Sequence, residues 1–487
     1  MKLNRITEKL SSTIIGEIRD VDIITITYDS RKVVPGALFV CLRGYNVDGH
    51  TYINDAIRAG AVAIVTEEVP ENIDLSDVIF IIVKDTRKAL ASLSAIWFDF
   101  PANKLIKIAL TGTKGKTTTA HMIKKILETN GFKVGMIGTM GAYIDDEFIE
   151  VKNTTPESFE IHSLFNEMLK KGCTHVVMEV SSQGLKQHRV DGIEFEYGAF
   201  LNISSDHIGP DQHKDFEEYK ACKTLLFKQV KTSVVNMDAE YWEEITRACK
   251  KIYTISCNRE ADYFCVDVEN KWEPGFLGVS YMGAGNLHGT FSLNMPGKYN
   301  VENALIASAI CSLLGVDEEK IRAALSMVTV KGRTQVIPDV AHFTTFLIDY
   351  AHNEISMENL LKTLKDYQPR NLVCVFGGGG NKPVQRRFDM GKMAGRYADL
   401  SVITMDNPRM ESMEEINKDI IRGIDSEGGK YIVIDDRQEA IEYMIDHSGK
   451  MDIVALIGKG HEEYQEVGRR KFYFSELQVV KNYLETK

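Results

Sequence analysis

The chain has eight cysteines in 487 residues, and no two of them stand as Cys-x-x-Cys. Without that spacing neither a zinc site nor a disulfide framework is indicated, so reduced thiols in a cytosol are expected. Long apolar runs are missing too. None reaches the roughly 18 residues that a bilayer-spanning helix needs, and no signal-peptide pattern opens the chain. Positive charge is in short supply, with 58 Lys and Arg against 69 Asp and Glu for a net charge of −11. That balance argues against a nucleic-acid or membrane-surface protein while leaving room for local basic pockets. There is no internal repeat and no low-complexity segment. What remains is a cytoplasmic enzyme without nucleic-acid partners or membrane insertion, and a monomer is the expectation.

The length suits roughly three domains of about 150 residues, each able to bury a core. Residues 1–98 alternate short apolar runs ("ALFVCL", "AVAIVTE", "VIFIIV") with helical stretches such as "TYINDAIRAG", a small α/β pattern. "DFPANKLIK" then reads as a linker, with Pro101 breaking the preceding helix. Residues 99–331 carry further strands ("KVGMIG", "HVVMEVSS", "YGAFLNIS", "TSVVNMD") separated by helical segments, a larger α/β domain. Residues 332–487 hold a third set: "TTFLIDYA", "NLVCVFGGGG", "DLSVITMD" and "DIVALIGKG".

The stretch "IALTGTKGKTTTAHMIKKIL" (108–127) sets a short buried strand, two glycines and a Lys-Thr pair before a helix stopped by Gly131. A strict P-loop needs Gly where Leu110 stands, so the pattern is the shorter Gly112-x-x-Gly115-Lys116-Thr117. Its order still suits a phosphate seated on a helix N-terminus, with Lys116 as counter-charge and Thr117 as a magnesium ligand. Glu179 ends the strand "HVVMEV" and His207 follows "FLNISSD", so both could approach that metal. In the third set, polar or glycine residues follow every strand: Asp349 to His352, Gly377 to Gly380, Asp406 to Arg409, and Gly458 to Glu462. Open α/β sheets bind ligands beyond the carboxyl ends of their strands, so the four clusters are expected to line one crevice.

At this point the residues resemble a known family. "TGTKGKTTT" is similar to the ATP loop of the Mur ligases, usually written with Asn where Lys114 stands. The resemblance continues through "DSRKVVPGALFVCLRGYNVDGHTYINDAIRAGAVAIV", "NTTPES", "MEVSSQGLKQHRV", "NISSDH", "EYKACKTLLF", "GKYNVENALIA", "GRTQVI", "DYAH", "DNPR" and "GKGHE", in the family's order over nearly the whole chain. It implies three α/β domains: 1–98 binding a UDP-sugar, a P-loop-type ATPase-like centre at 99–331, and a Rossmann-like 332–487 holding an amino acid. The implied reaction is ATP- and Mg2+-dependent amide ligation. A carboxylate does not react with an amine at neutral pH because hydroxide leaves poorly, so ATP first converts it to an acyl phosphate and the amine displaces phosphate.

The branch resembled adds the third amino acid to UDP-N-acetylmuramoyl-L-alanyl-D-glutamate. Gly112, Thr113, Gly115, Lys116, Thr117 and Thr118 would then hold the phosphates, and Thr117 and Glu179 the first magnesium. His207 would serve a second metal, and Lys223 matches a family lysine that is carbamylated. From charge alone Lys223 reads as a surface helix lysine. Asn300, Arg333, Asp349 and His352 would contact the nucleotide, Ser30 the uridine, and Thr154, Thr155, Ser181, Gln187 and Arg189 the muramoyl dipeptide. "DNPR" resembles the version that accepts meso-diaminopimelate, Arg409 forking onto its distal carboxylate while Asp406, Asn407, Gly458 and Glu462 hold the zwitterionic centre. Lys382 falls where a second arginine is usual, which keeps L-lysine or another amino acid open. Further departures are Gln183 for His, Ser205 for Arg, an inserted "GPDQHKDF", and Asn353-Glu354 for Thr-Pro. A paralogue that binds nucleotide or muramoyl peptide without ligating is the other reading. Folylpolyglutamate synthetases share the acyl-phosphate logic but lack an amino-terminal segment like "DSRKVVPGALF".

Overall fold

The computed structural model describes residues 1–8, 10–15, 21–44, 47–68, 78–205, 208–209, 212–273, 276–338 and 344–486. The chain forms two compact units, Met1–Ile255 and Ser256–Lys487.

In the first unit a five-stranded sheet runs in the order Ser12–Ile15, Ile79–Val83, Ala61–Thr66, Ala37–Val40, Thr25–Thr27. Its strands are the apolar runs "ALFV", "AVAIVT" and "IFIIV", and they pair in parallel. The helix Thr86–Trp97 lies along this sheet, capped by Asp85, whose carboxylate accepts from the N–H groups of Arg87 and Lys88. The expected linker after it is no free tether. Pro101 and Ala102 are buried in a 3-10 turn, and Lys107 Nζ donates to the carbonyls of Ala102 and Leu105, both at 2.7 Å.

The unit's second sheet is ordered Ile252–Ser256, Val230–Asn236, Phe195–Phe200, Ile106–Thr111, His175–Glu179, Val134–Gly138, Gly141–Ile144, Glu147–Ile149. From Ile252 to Gly138 the pairing is parallel, and parallel strands covered on both faces read as near-continuous hydrophobic runs. Helices Lys116–Thr129 and Ser158–Lys170 supply much of the cover. Register sets the site: Glu179 pairs with Leu110 and Phe200 with Thr111, so the segments leaving both neighbours emerge beside the glycine loop.

The second unit opens with antiparallel strands Tyr263–Glu273, Phe276–Gly285 and Gly289–Leu293, in a region where strands separated by helices were expected. A mixed sheet follows in the order Gln335–Ile337, Thr345–Asp349, Asp452–Ile457, Asn371–Phe376, Leu400–Ile403, Tyr431–Val433. All of its pairings except the first are parallel, so the polar clusters after Asp349, Phe376, Ile403 and Ile457 leave from one edge. A hairpin, Tyr464–Val467 with Arg470–Tyr473, lies beyond the last of them.

Inside the helix Ser158–Lys170, His162 is buried against Phe165, their rings 6.1 Å apart. Burial disfavours the imidazolium and pushes the His162 pKa down from 6.5 to about 4. Between those values the unfolded chain binds the proton and the fold does not. The stabilisation is therefore complete above pH 6.5 and is lost as pH falls toward 4, a loss of about 3 kcal/mol at roughly 1.4 kcal/mol per unit. In urea titrations of the wild type and His162→Leu from pH 7 to 4.5, the variant should show a markedly flatter pH dependence; parallel curves would assign acid sensitivity elsewhere.

Candidate active site

Thr111 is the last residue of its strand and Lys116 the first of its helix. Gly115 bridges them at φ +87°, a conformation that side chains strain to adopt, and it leaves the helix N-terminus without a side-chain cap. Asn202 stands where the neighbouring strand releases the chain, and its Oδ1 accepts from Thr113 N at 3.1 Å and Lys114 N at 2.9 Å. Lys116 Nζ donates to the carbonyls of Gly112 and Thr113 at 2.7 and 3.2 Å, folding back over the loop. The loop is not exposed, since Thr111, Thr113, Thr117 and Thr118 are all buried. An uncapped helix N-terminus, a lysine folded over it and a threonine at its second position fit a phosphate with its metal.

Glu179 is buried, its carboxylate accepting from Thr139 N at 3.1 Å and Thr139 Oγ1 at 3.0 Å. Gly138 makes room for it, because a Cβ there would lie 2.2 Å from Glu179 Oε1. Lys223 is buried rather than on the surface, because the face of the Phe216–Thr224 helix that carries it turns inward with Tyr219. Its ammonium lies 4.5 Å from the Tyr219 ring, and the Tyr219 hydroxyl is 2.9 Å from Thr113 Oγ1. Lys223 thus reaches the loop through one tyrosine. His207 lies outside the described residues. Of the inserted segment, His213 is buried, with Nε2 2.9 Å from Ser182 Oγ.

The dipeptide candidates form one network. Thr155 Oγ1 donates to Glu179 O at 2.9 Å and accepts from Ser181 N at 2.9 Å, and Thr154 Oγ1 lies 3.0 Å from Thr139 Oγ1. Arg189 donates to Thr155 O at 2.8 Å and to Gln187 Oε1 at 2.5 Å, and it pairs with Glu157 at 2.9 Å. Glu157 also takes Arg87, at 3.2 Å, which ties the network to the first sheet's helix. Ser30 opens the 3-10 turn after Thr25–Thr27, where Asp29 accepts from Arg31 N. Next to that turn a cavity of about 510 Å³ is lined by Tyr28, Asp29, Lys32, Asn153, Glu157 and Glu160 among others.

In the second unit Asn300 is buried near the start of the helix Lys298–Leu313, its Nδ2 donating to Pro296 O at 2.8 Å. Asp349 ends its strand and accepts from the N–H groups of Thr334 and Ala351, both at 2.7 Å. Burial pushes its carboxyl pKa up, against the opposing pull of Arg333 and those N–H groups. The Arg333 guanidinium stacks 4.7 Å over the Tyr350 ring, and the His352 ring lies 4.7 Å from the same tyrosine.

The clusters after Ile403 and Ile457 meet. Asn407 Nδ2 donates to Glu462 Oε2 at 2.9 Å, Gly458 N donates to Asp349 O at 3.0 Å, and buried Lys459 lies 3.5 Å from Asp406 Oδ1. Burial, then Asp406, raise the Glu462 pKa against the pull of Lys459 and Asn407. Arg409, at φ +51°, donates through Nε to Glu466 Oε2 at 2.9 Å and through Nη1 to Gly380 O at 2.8 Å. Gly379 is the shared neighbour of Arg409 and Lys382: a Cβ on it would be 3.4 Å from Arg409 Nη1 and 3.6 Å from Lys382 Cγ. Burial, then Arg409 and Arg386, lower the Lys382 pKa. Arg387, buried at the helix Val384–Tyr397, holds Glu411 at 2.5 Å.

Three family models cover these elements: "Mur ligase family, catalytic domain" at 22–97, "Mur ligase middle domain" at 110–311, and "Mur ligase, glutamate ligase domain" at 332–460. Over its full length the chain is 38% identical to the UDP-N-acetylmuramoyl-L-alanyl-D-glutamate--2,6-diaminopimelate ligase 1 of Clostridium acetobutylicum, covering 99% of that protein. The chain belongs to the Mur ligase family. A second ligase of that name, from Caldanaerobacter subterraneus subsp. tengcongensis, is 39% identical over 96% of this chain and 95% of its own length. A solved structure of a UDP-N-acetylmuramoyl-L-alanyl-D-glutamate--2,6-diaminopimelate ligase superposes with a TM-score of 0.71 at 26% identity, covering 100% of this chain and 99% of that one.

As a Mur ligase the chain carries site neighbours that residue types alone did not single out: Asn202, Tyr219, Glu157, Lys459 and Glu466. Asn202 and Lys459 stand inside the motifs "NISSDH" and "GKGHE", so strand-end position was an available signal for both. Gly138→Ala tests whether the placement of Glu179 matters. The added methyl must displace the carboxylate, and misplacement of about 1 Å costs roughly 100-fold in rate. Amino-acid-dependent phosphate release should fall by about that factor with the circular dichroism spectrum unchanged; wild-type turnover would remove Glu179 from the chemistry.

Proposed function

We propose that this Mur ligase joins meso-diaminopimelate to the side-chain carboxylate of the D-glutamyl residue in UDP-N-acetylmuramoyl-L-alanyl-D-glutamate, forming ADP and phosphate, in cytoplasmic peptidoglycan synthesis. The observation that carries this reading is full-length identity of 38% to a ligase named for that reaction. The division of labour follows the chain: 1–98 for the uridine end, with Ser30 against it; 99–331 for ATP phosphates and the muramoyl dipeptide; and 332–487 for the amino acid.

ATP is a substrate here. The loop residues Gly112, Thr113, Gly115, Thr117 and Thr118 and the Lys116 ammonium bind its phosphates and hold the transferred phosphoryl group in line with the glutamyl carboxylate. Thr117 and Glu179 supply oxygens for Mg2+, His207 a nitrogen for a second ion, and Lys223, carbamylated, an anionic group beside the loop. Magnesium when bound neutralises phosphate charge. Thr154, Thr155, Ser181, Gln187 and Arg189 orient the dipeptide so that its carboxylate faces the phosphoryl donor. Asn300, Arg333, Asp349 and His352 hold the nucleotide's base and sugar. Asp406, Asn407, Gly458 and Glu462 hold the zwitterionic centre of diaminopimelate, and Lys382 adds a point charge to the Arg409 fork.

The Glu466 carboxylate, 2.9 Å from Arg409 Nε, stands in for the carboxylate that the fork is built to take. L-lysine lacks that group and leaves the guanidinium without a substrate partner. In full-chain kinetics, meso-diaminopimelate should exceed L-lysine by at least about 100-fold in kcat/KM, and Arg409→Ala should erase most of the difference. A wild type that prefers L-lysine overturns the choice of amino acid and leaves the ligation standing.

Carbamylation of Lys223 has its own test. Lys223→Ala should be nearly inactive and partly restored by acetate, and intact-mass spectra in bicarbonate should gain one carbamate. An unmodified lysine in the active, nucleotide-bound enzyme would refute the modification.

A further inference from the structure

The Lys459 side chain is completely buried within the 406–409 and 458–462 clusters. Its Nζ lies 3.2 Å from Asn407 Oδ1, 3.5 Å from Asp406 Oδ1 and 3.6 Å from Glu462 Oε2, and 5.4 Å from the centre of the Tyr464 ring. Two of its three near oxygens belong to carboxylates, and the third belongs to an amide that can point either way.

The amide direction follows from the lysine together with the Glu466 N–H. With Oδ1 drawn to the ammonium and accepting from Glu466 N at 2.9 Å, Asn407 must turn Nδ2 away, and Nδ2 donates to Glu462 Oε2 at 2.9 Å. Glu462 Oε2 is then committed to Asn407 and Lys459, while among the described residues Oε1 keeps only a 3.5 Å contact with the Tyr350 hydroxyl. Charge points the same way. One ammonium against Asp406 and Glu462 leaves one net negative charge, the complement of one substrate ammonium. Without Lys459 two carboxylates would share a poorly hydrated site, and one of them would take up a proton.

We propose that Lys459 is a positioning residue for the incoming amino acid: it orients the Asn407 amide and keeps Glu462 ionised so that Glu462 Oε1 accepts the substrate's ammonium group. This rests on reading the two clusters as the amino-acid subsite. The groups facing Glu462 are Asp406, Lys459, Lys382, Tyr350 and Tyr464, and of these Lys459 has a charged nitrogen within 4 Å of the carboxylate.

The test is steady-state kinetics of the full chain with meso-diaminopimelate, ATP and the UDP-muramoyl dipeptide varied in turn between pH 6 and 9. Lys459→Met should raise KM for diaminopimelate roughly tenfold or more, leave the other two KM values within about twofold, and move the acid limb of kcat/KM for diaminopimelate to higher pH. The double variant Lys459→Met with Asp406→Asn returns the net charge to one negative and should bring the acid limb back toward the wild type. A folded Lys459→Met with an unchanged amino-acid KM and an unmoved limb overturns the proposal, and so does a loss confined to ATP. If Lys459→Met does not fold, Asp406→Asn alone decides: the limb must move to lower pH, and a fixed limb overturns the proposal. Asn407→Ala and Glu462→Gln separate the two levels. An unchanged diaminopimelate KM in both removes the subsite reading itself, whereas raised values there beside an inert Lys459→Met confine the failure to the lysine.

Discussion

Asn202 can accept the N–H groups of Thr113 and Lys114 because the Phe195–Phe200 strand runs parallel to Ile106–Thr111 with Phe200 opposite Thr111. On the other side Glu179 sits opposite Leu110 by the same kind of pairing. A shift of one residue in either ladder would turn every side chain of that strand to the other face. The glycine loop would then lose its backbone brace, or the carboxylate that enters the pocket opened by Gly138. Much of the first unit's site depends on these two registers. They are held by the surrounding core, where Val176, Met178, Phe195 and Phe200 are fully buried.

The second unit solves a similar problem with contacts between loops. Its four strand ends leave from one edge, and the loops beyond them are bound to one another. Glu411 takes Arg387, Gly380 N donates to Asn407 O at 2.9 Å, and Arg409 O accepts from Gly468 N at 2.7 Å. Arg437 is buried with Glu476, 2.7 Å away, and donates to Ile457 O at 2.9 Å and Met405 O at 3.2 Å, the residues just before the 458–462 and 406–409 clusters. A buried ion pair contributes little net stability, but removing one partner leaves an uncompensated charge. Its effect here is to hold two loops at fixed separation.

The family's reaction gives these constraints a purpose. Phosphoryl transfer offers the protein little covalent chemistry, so positioning and charge neutralisation carry the catalysis. The braced glycine loop, the wedged Glu179 carboxylate and the proposed amino-acid subsite around Lys459 are all devices for positioning.

Much of this was legible in the residues. The order strand, glycines, Lys-Thr, helix marked the phosphate loop, because its local geometry is encoded locally. Apolar runs marked the parallel strands of both units, and polar residues after them marked the segments that leave the sheet from one edge. The antiparallel strands between Tyr263 and Leu293 were missed: their hairpin pairing is local, but Tyr263–Glu273 and Gly289–Leu293 are mostly exposed and carry no continuous apolar run to mark them. Lys223 looked like a solvated helix lysine and is buried, because composition does not say which face of a short helix turns inward. Lys459 was not singled out within "GKGHE" until the fold set it beside Asp406 and Asn407, more than 50 residues earlier in the chain, as well as its near neighbour Glu462. The sequence by itself therefore determined the local pieces, the family and the chemistry they serve. Tertiary structure decided which charges face each other, since burial and distance, not residue type, set how strongly two charges interact.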